Sequence, residues 1–120
     1  MSQPIYRQQK TETSSVAAHS CGEPNPGGAH TRFRLVISNG NESLVERLHF
    51  QDGNPDEECN GVTNDLLLAV VLRRLQGFQA GPFACAENQC AIEGVAMALA
   101  AINVRTNNRI KRGVAGEQKV

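Results

Sequence analysis

Apolar positions change their spacing twice along this chain. Through residues 1–30 they are sparse, Ser, Thr, Gln, Gly and Pro predominate, and the stretch closes with CGEPNPGGAH. So little apolar surface cannot offset the entropy lost on ordering the backbone, and the pattern predicts a flexible N-terminal tail. From Thr31 the pattern alternates. Phe33, Leu35 and Ile37 fall on one side and Arg32, Arg34 and Ser38 on the other, which is strand periodicity. Ser38-Asn39-Gly40-Asn41 supplies a tight turn, because Asn-Gly tolerates the positive φ that hairpins need. A second strand is expected over 44–51, giving a β-hairpin, and the Gly-, Pro- and acid-rich segment 51–60 reads as a loop.

The spacing then becomes helical. Thr63 is placed to cap a helix, with Asp65 in its first turn against the positive end of the helix dipole, and helix A is predicted over 63–77. Gly81-Pro82 breaks the pattern. Pro82 is acceptable in a first helical turn, where its missing N–H would have no partner, so helix B is predicted to start near it. Ile92, Val95, Ala96, Leu99 and Ile102 recur at three- and four-residue steps until Gly113 stops the run. The expected fold is α+β: a small antiparallel β-sheet or hairpin, then a long antiparallel two-helix hairpin, within one domain over 31–120 behind the 1–30 tail. At 1.5 Å per residue, helix A measures about 22 Å and helix B about 45 Å. The overhang, with Val95, Leu99 and Ile102 along one side, calls for a further surface, and a second copy of the chain is the economical one. Ala91, Gly94, Ala96, Ala98, Ala100 and Ala101 permit close helix contact.

Composition fits this picture. The chain has 120 residues, 40% of them hydrophobic, with four Phe, one Tyr and no Trp, enough for one core made mainly of Leu, Ile, Val and Ala. Net charge is zero, yet residues 31–62 sum to −3 and residues 63–120 to +3, so an anion is sought at the C-terminal end. There Arg105, Arg109 and Arg112 share one helix face with Lys111 beside them. Cations at a helix C-terminus also complement its dipole. Cys21, Cys59, Cys85 and Cys90 form no CxxC pair and have no HxxxH partner, so they read as buried or incidental thiols and no metal site is expected. His19, His30 and His49 stand apart from any carboxylate or thiol cluster. No P-loop, GxSxG or HExxH occurs, so a non-enzymatic protein without a cofactor is expected. The polar N-terminus MSQPIYRQQK carries no signal peptide, and no apolar run nears the ~20 residues of a membrane span.

Phe78 lies at the helical turn, where an exposed ring offers a stacking surface for a purine; packing against Phe83 is the structural alternative. Asn88 can offer its amide to a base edge or a ribose hydroxyl.

The run from NGVTND (60–65) through GFQAGPFACAEN (77–88) to RT (105–106) and RGV (112–114) resembles the Acb/Tad hairpin family of phage proteins. With strand-rich sequence containing HFQDG ahead of it, the similarity is greatest to the Thoeris anti-defence branch. The resemblance covers about ninety residues, all but the tail. It departs from the family pattern after AEN, where usual charged positions are missing, and after RGV, where an acid usually follows. The resemblance implies a sponge of the host cytoplasm that sequesters glycocyclic ADP-ribose signals of Thoeris without cleaving them; some members also bind cyclic oligonucleotides of CBASS. It implies Phe78 as the base-stacking aromatic, Asn88 as its polar partner and Arg105 as a phosphate-binding residue. Arg109 joins by proximity, and Gln79 and Thr106 from the GFQAG and RT motifs complete the ligand-binding set. The implied partners are the cyclic nucleotide and the protein itself, as homodimer or hexamer, with no membrane and no nucleic-acid polymer.

Geometry adds a constraint. Asn88 and Arg105 are seventeen residues apart on one helix, about 25 Å, too far to hold one small molecule. They can share a ligand only across an interface, and antiparallel pairing of helix B with its copy gives two equivalent pockets per dimer. A cyclic-nucleotide hydrolase and a helical DNA-binding regulator using Arg73 and Arg74 are the competing readings.

Overall fold

The computed structural model describes the backbone of residues 3–111 and the side chains of residues 3–107. The chain divides into two compact units, the first ending at Gly61 and the second beginning at Val62.

The first unit is a four-stranded antiparallel meander in the order β1-β2-β3-β4, with β1 at Tyr6–Gln9, β2 at Ser14–Cys21, β3 at Arg32–Asn39 and β4 at Glu42–His49. The expected β3–β4 hairpin is present and tightly closed. Asn39 pairs with Glu42, leaving Gly40 and Asn41 as a two-residue loop. Gly40 has φ 62° and among the described residues no non-glycine residue is left-handed, the arrangement of a type II′ turn, whose first central position requires glycine.

The flexible tail expected over 1–30 is corrected, because β1 and β2, of 4 and 8 residues, lie within it. β2 pairs along its whole length with β3, from Ser14↔Asn39 to Cys21↔Arg32, and β1 pairs with β2. Ser- and Ala-rich strands carry little hydrophobic signal of their own. Here the hydrogen-bonded edge of β3 organises them, as expected when strand formation depends more on neighbours than on intrinsic preference. The turn between β1 and β2 is held locally, with Thr11 Oγ1 accepting from the N–H groups of Thr13 at 3.3 Å and Ser14 at 3.1 Å.

After β4 the acidic loop closes on itself. Gln51 Nε2 donates to the carbonyls of Gly53 at 3.3 Å and Glu58 at 2.9 Å, and Gln51 Oε1 accepts from Asn60 N–H at 3.0 Å. Asn60 answers by accepting from Asp52 N–H at 2.9 Å and donating to Asp52 O at 2.8 Å. Gly61 is required at the exit, since a Cβ there would collide with the Phe50 carbonyl and lie 2.6 Å from the Gln51 amide nitrogen.

The second unit contains α1 (Asn64–Gln79) and α2 (Ala86–Lys111). Thr63 caps α1 as the sequence predicts, with extended backbone and a side chain accepting from Leu66 N–H, and Asp65 lies in the first turn. The helices pack against one another as a hairpin. Half-buried positions trace the seam: Leu68, Leu72, Leu75 and Gln79 on α1, and Asn88, Ile92, Val95, Leu99 and Ile102 on α2, all at steps of four and three.

This corrects the role expected for Val95, Leu99 and Ile102. They line the seam of the hairpin itself; the large apolar side chains left most open on α2 are Met97, 74% exposed, and Val104, 58% exposed. Among the described residues none is fully buried, so neither unit closes a dry core. Gly113, the expected stop of α2, lies outside the described residues. Among those described, no helix is long and apolar enough to cross a membrane.

Candidate functional site

The end of the hairpin where α1 turns into α2 is built by side chains. α1 ends with Ala80 N–H donating to Gln76 O at 3.0 Å and Gly81 N–H to Phe78 O at 3.2 Å. The predicted start of helix B near Pro82 is corrected to Ala86, because Pro82 and Phe83 belong to the turn. Cys85 O receives the first helical bond of α2, from Gln89 N–H at 3.2 Å. Its own N–H would otherwise lack a partner, and Gln79 Oε1 accepts from it at 3.1 Å. From the other helix, Asn88 Nδ2 donates to Phe83 O at 3.4 Å.

Gln79 and Asn88 are therefore two clamps reaching across the turn in opposite directions. What remains for a guest is the Asn88 carbonyl oxygen, free of any partner among the described residues, and the Gln79 amide.

Phe78 stands beside these clamps and is 45% exposed, while Phe83 is 73% exposed. The two rings do not stack on each other; the ring pairs among the described residues are His30–Phe33 and Phe33–Phe50. Direct stacking of Phe78 on Phe83 is thus not part of the turn. One face of Phe78 carries the Arg74 guanidinium, 5.5 Å from the ring centroid. A cation held on one face of the ring by its quadrupole brings positive charge beside any nucleotide stacked on the other. Arg74 is the residue that sequence reasoning left out of the site, and the signal for it was the i, i+4 spacing to Phe78 on one helix.

The remaining candidates lie far away. α1 measures about 24 Å and α2 about 39 Å, so α2 overhangs by about 15 Å. Arg105 and Thr106 stand on that overhang, exposed, and make no side-chain hydrogen bond or ion pair among the described residues. Arg109 falls within α2, but its side chain lies outside the described residues, as does Arg112 entirely. The structure therefore brings Phe78, Gln79 and Asn88 together and leaves Arg105 about 25 Å of helix from Asn88.

The four cysteines are free; of the two roles expected, burial or an incidental thiol, Cys21 is half-buried, while Cys59, Cys85 and Cys90 are exposed.

Fold and site together define an α+β chain with an aromatic-amide cluster at one end of a helical hairpin and, at the other, a cation unpaired among the described residues. No protein-family model matches the chain. Over 70 residues it is 46% identical to Thoeris anti-defense 1 of Bacillus phage SBSphiJ7; the match takes in 58% of this chain and 49% of that protein. The matched region thus spans about half the length of the curated relative.

Proposed function

We propose that this protein is a phage anti-defence sponge that captures a cyclic-nucleotide immune signal of the glycocyclic ADP-ribose type, holding it without cleaving it. The observation that carries the reading is the split site. An exposed aromatic platform with an amide carbonyl stands at one end of the hairpin, and Arg105 and Thr106 stand at the other, all without polar partners among the described residues. The name of the Bacillus phage relative supports the anti-defence role and is compatible with a non-enzymatic one.

In this reading α2 pairs antiparallel with α2 of a second copy through the face bearing Met97 and Val104, both widely exposed. Each pocket then takes Phe78, Gln79 and Asn88 from one chain and Arg105, Thr106 and Arg109 from the other. The base stacks on the open face of Phe78 opposite Arg74, Asn88 accepts from a base edge or ribose hydroxyl, and Arg105 forms charge-assisted bonds to the pyrophosphate. Slow dissociation is all that function demands; no bond is broken.

Complementation between chains is the sharpest test. Phe78→Ala and Arg105→Ala each weaken binding by about 30-fold or more in calorimetry against glycocyclic ADP-ribose isomers and cyclic oligonucleotides. Co-refolding the two variants restores about a quarter of the sites, since half of randomly paired dimers are mixed and each mixed dimer has one intact pocket. No restoration would place the whole site within one chain. Recovery of hydrolysed rather than intact ligand after heating the complex would identify a hydrolase.

A further inference from the structure

The β-sheet carries a cationic face that the proposed pocket does not use. Strand alternation places Arg34 and Arg47 on one face, and the register sets them directly opposite each other. His19 is opposite Arg34 on its other side, giving a row of His19, Arg34 and Arg47 across three strands. Two positions along the strands, Arg32 is flanked by His49 and Cys21. Directly paired strand residues stand about 5 Å apart, so three guanidiniums share a patch about 10 Å wide.

No strand residue on this face is acidic, because Glu42 and Glu46 pair with Asn39 and Leu35 on the opposite one. Like charges placed opposite one another destabilise a sheet. Among the described residues neither Arg34 nor Arg47 has an ion pair to relieve that repulsion. His19 Nδ1 is buried and has no hydrogen-bond partner. The row is arranged for an anionic occupant.

The same unit holds an acidic corner of matching charge. Asp56, Glu57 and Glu58 are consecutive and exposed. The Gln51 and Asn60 bonds that close the loop hold this corner in shape, as do the N–H groups of Glu57 and Glu58, each donating to Asn54 O at 3.1 Å. Three carboxylates thus stand preformed against three guanidiniums, and no ion pair joins the two patches within one chain among the described residues. A corner ordered in advance loses little entropy on docking, and complementary charge fixes its register.

We infer that the Asp56-Glu57-Glu58 corner of one chain docks on the Arg32, Arg34 and Arg47 face of a second copy, forming a salt-sensitive contact between sheets separate from any helix pairing.

The test uses the full chain in sedimentation experiments at about 50 mM and about 500 mM salt, where the screening length falls from roughly 14 to 4 Å. Arg47→Glu turns the Arg34 pairing from repulsive to attractive, so this variant keeps its sheet circular dichroism and melts no lower than the parent. Its self-association at low salt weakens by about tenfold or more, and a chain with D56K, E57K and E58K behaves the same way. Mixing the two variants restores association, since each supplies the complement the other lacks. Unchanged association in Arg47→Glu, or no restoration on mixing, overturns the inference. Binding of tripolyphosphate by the parent at low salt, with the mass of Arg47→Glu equal to the parent's, would make the face a phosphate site instead.

Discussion

At its Ala86 end α2 is tied down by side chains, with Gln79 reaching over from α1 to the Cys85 N–H and Asn88 reaching back to the Phe83 carbonyl. Near the other end, Arg105 and Thr106 extend past the reach of α1 and bond to nothing among the described residues. The polar groups of the first end do two jobs, closing a turn and presenting what is left over; those of the second do none among the described residues. Residues with a local structural role should therefore move stability when changed, and residues waiting for a partner should move binding alone.

The largest effect expected is at Phe78. Replacing it with Ala removes the stacking platform, about 3 kcal/mol at the upper end for one base, while stability falls only by about the 0.5 kcal/mol of its contact with Arg74; a variant that melts much lower and keeps its affinity would make Phe78 a packing residue. Arg105→Ala follows, with about 2 kcal/mol of affinity lost through the missing charge-assisted bond and no change in urea denaturation. Equal losses of stability at both ends of α2 would erase the contrast drawn here.

Gln79→Ala sharpens it from the other side. Leaving the Cys85 N–H without its acceptor costs about 1 kcal/mol of stability, read as a shifted urea midpoint, with hydrogen exchange accelerated first at Cys85 and Ala86. Smallest is Arg74→Ala, which removes an exposed cation–ring contact of about 0.5 kcal/mol. It should weaken ligand binding severalfold at low salt and less at high salt, because the remaining contribution of Arg74 is its charge beside the stacked ring.

Several features of this protein were legible from residue order alone, because they depend on interactions within a few positions. Thr63 caps α1 through its own side chain, Gly40 sits where a two-residue hairpin loop needs positive φ, and the three- and four-residue steps of Ile92, Val95, Leu99 and Ile102 mark a helix face. Placing Asn88 and Arg105 apart needed only the rise of a helix.

Other features were settled only by three-dimensional pairing. β1 and β2 have weak hydrophobic patterns and become strands because β3 offers an edge to β2, and β2 in turn offers one to β1. Whether Val95, Leu99 and Ile102 face the chain's own α1 or a second copy depends on how α2 is rotated, since the periodicity that marks a face does not name its neighbour. Gln79 and Asn88 hold the turn, and Arg74 covers one side of Phe78, because bond partners are chosen by proximity in space. Sequence spacing controls that proximity only along a single element.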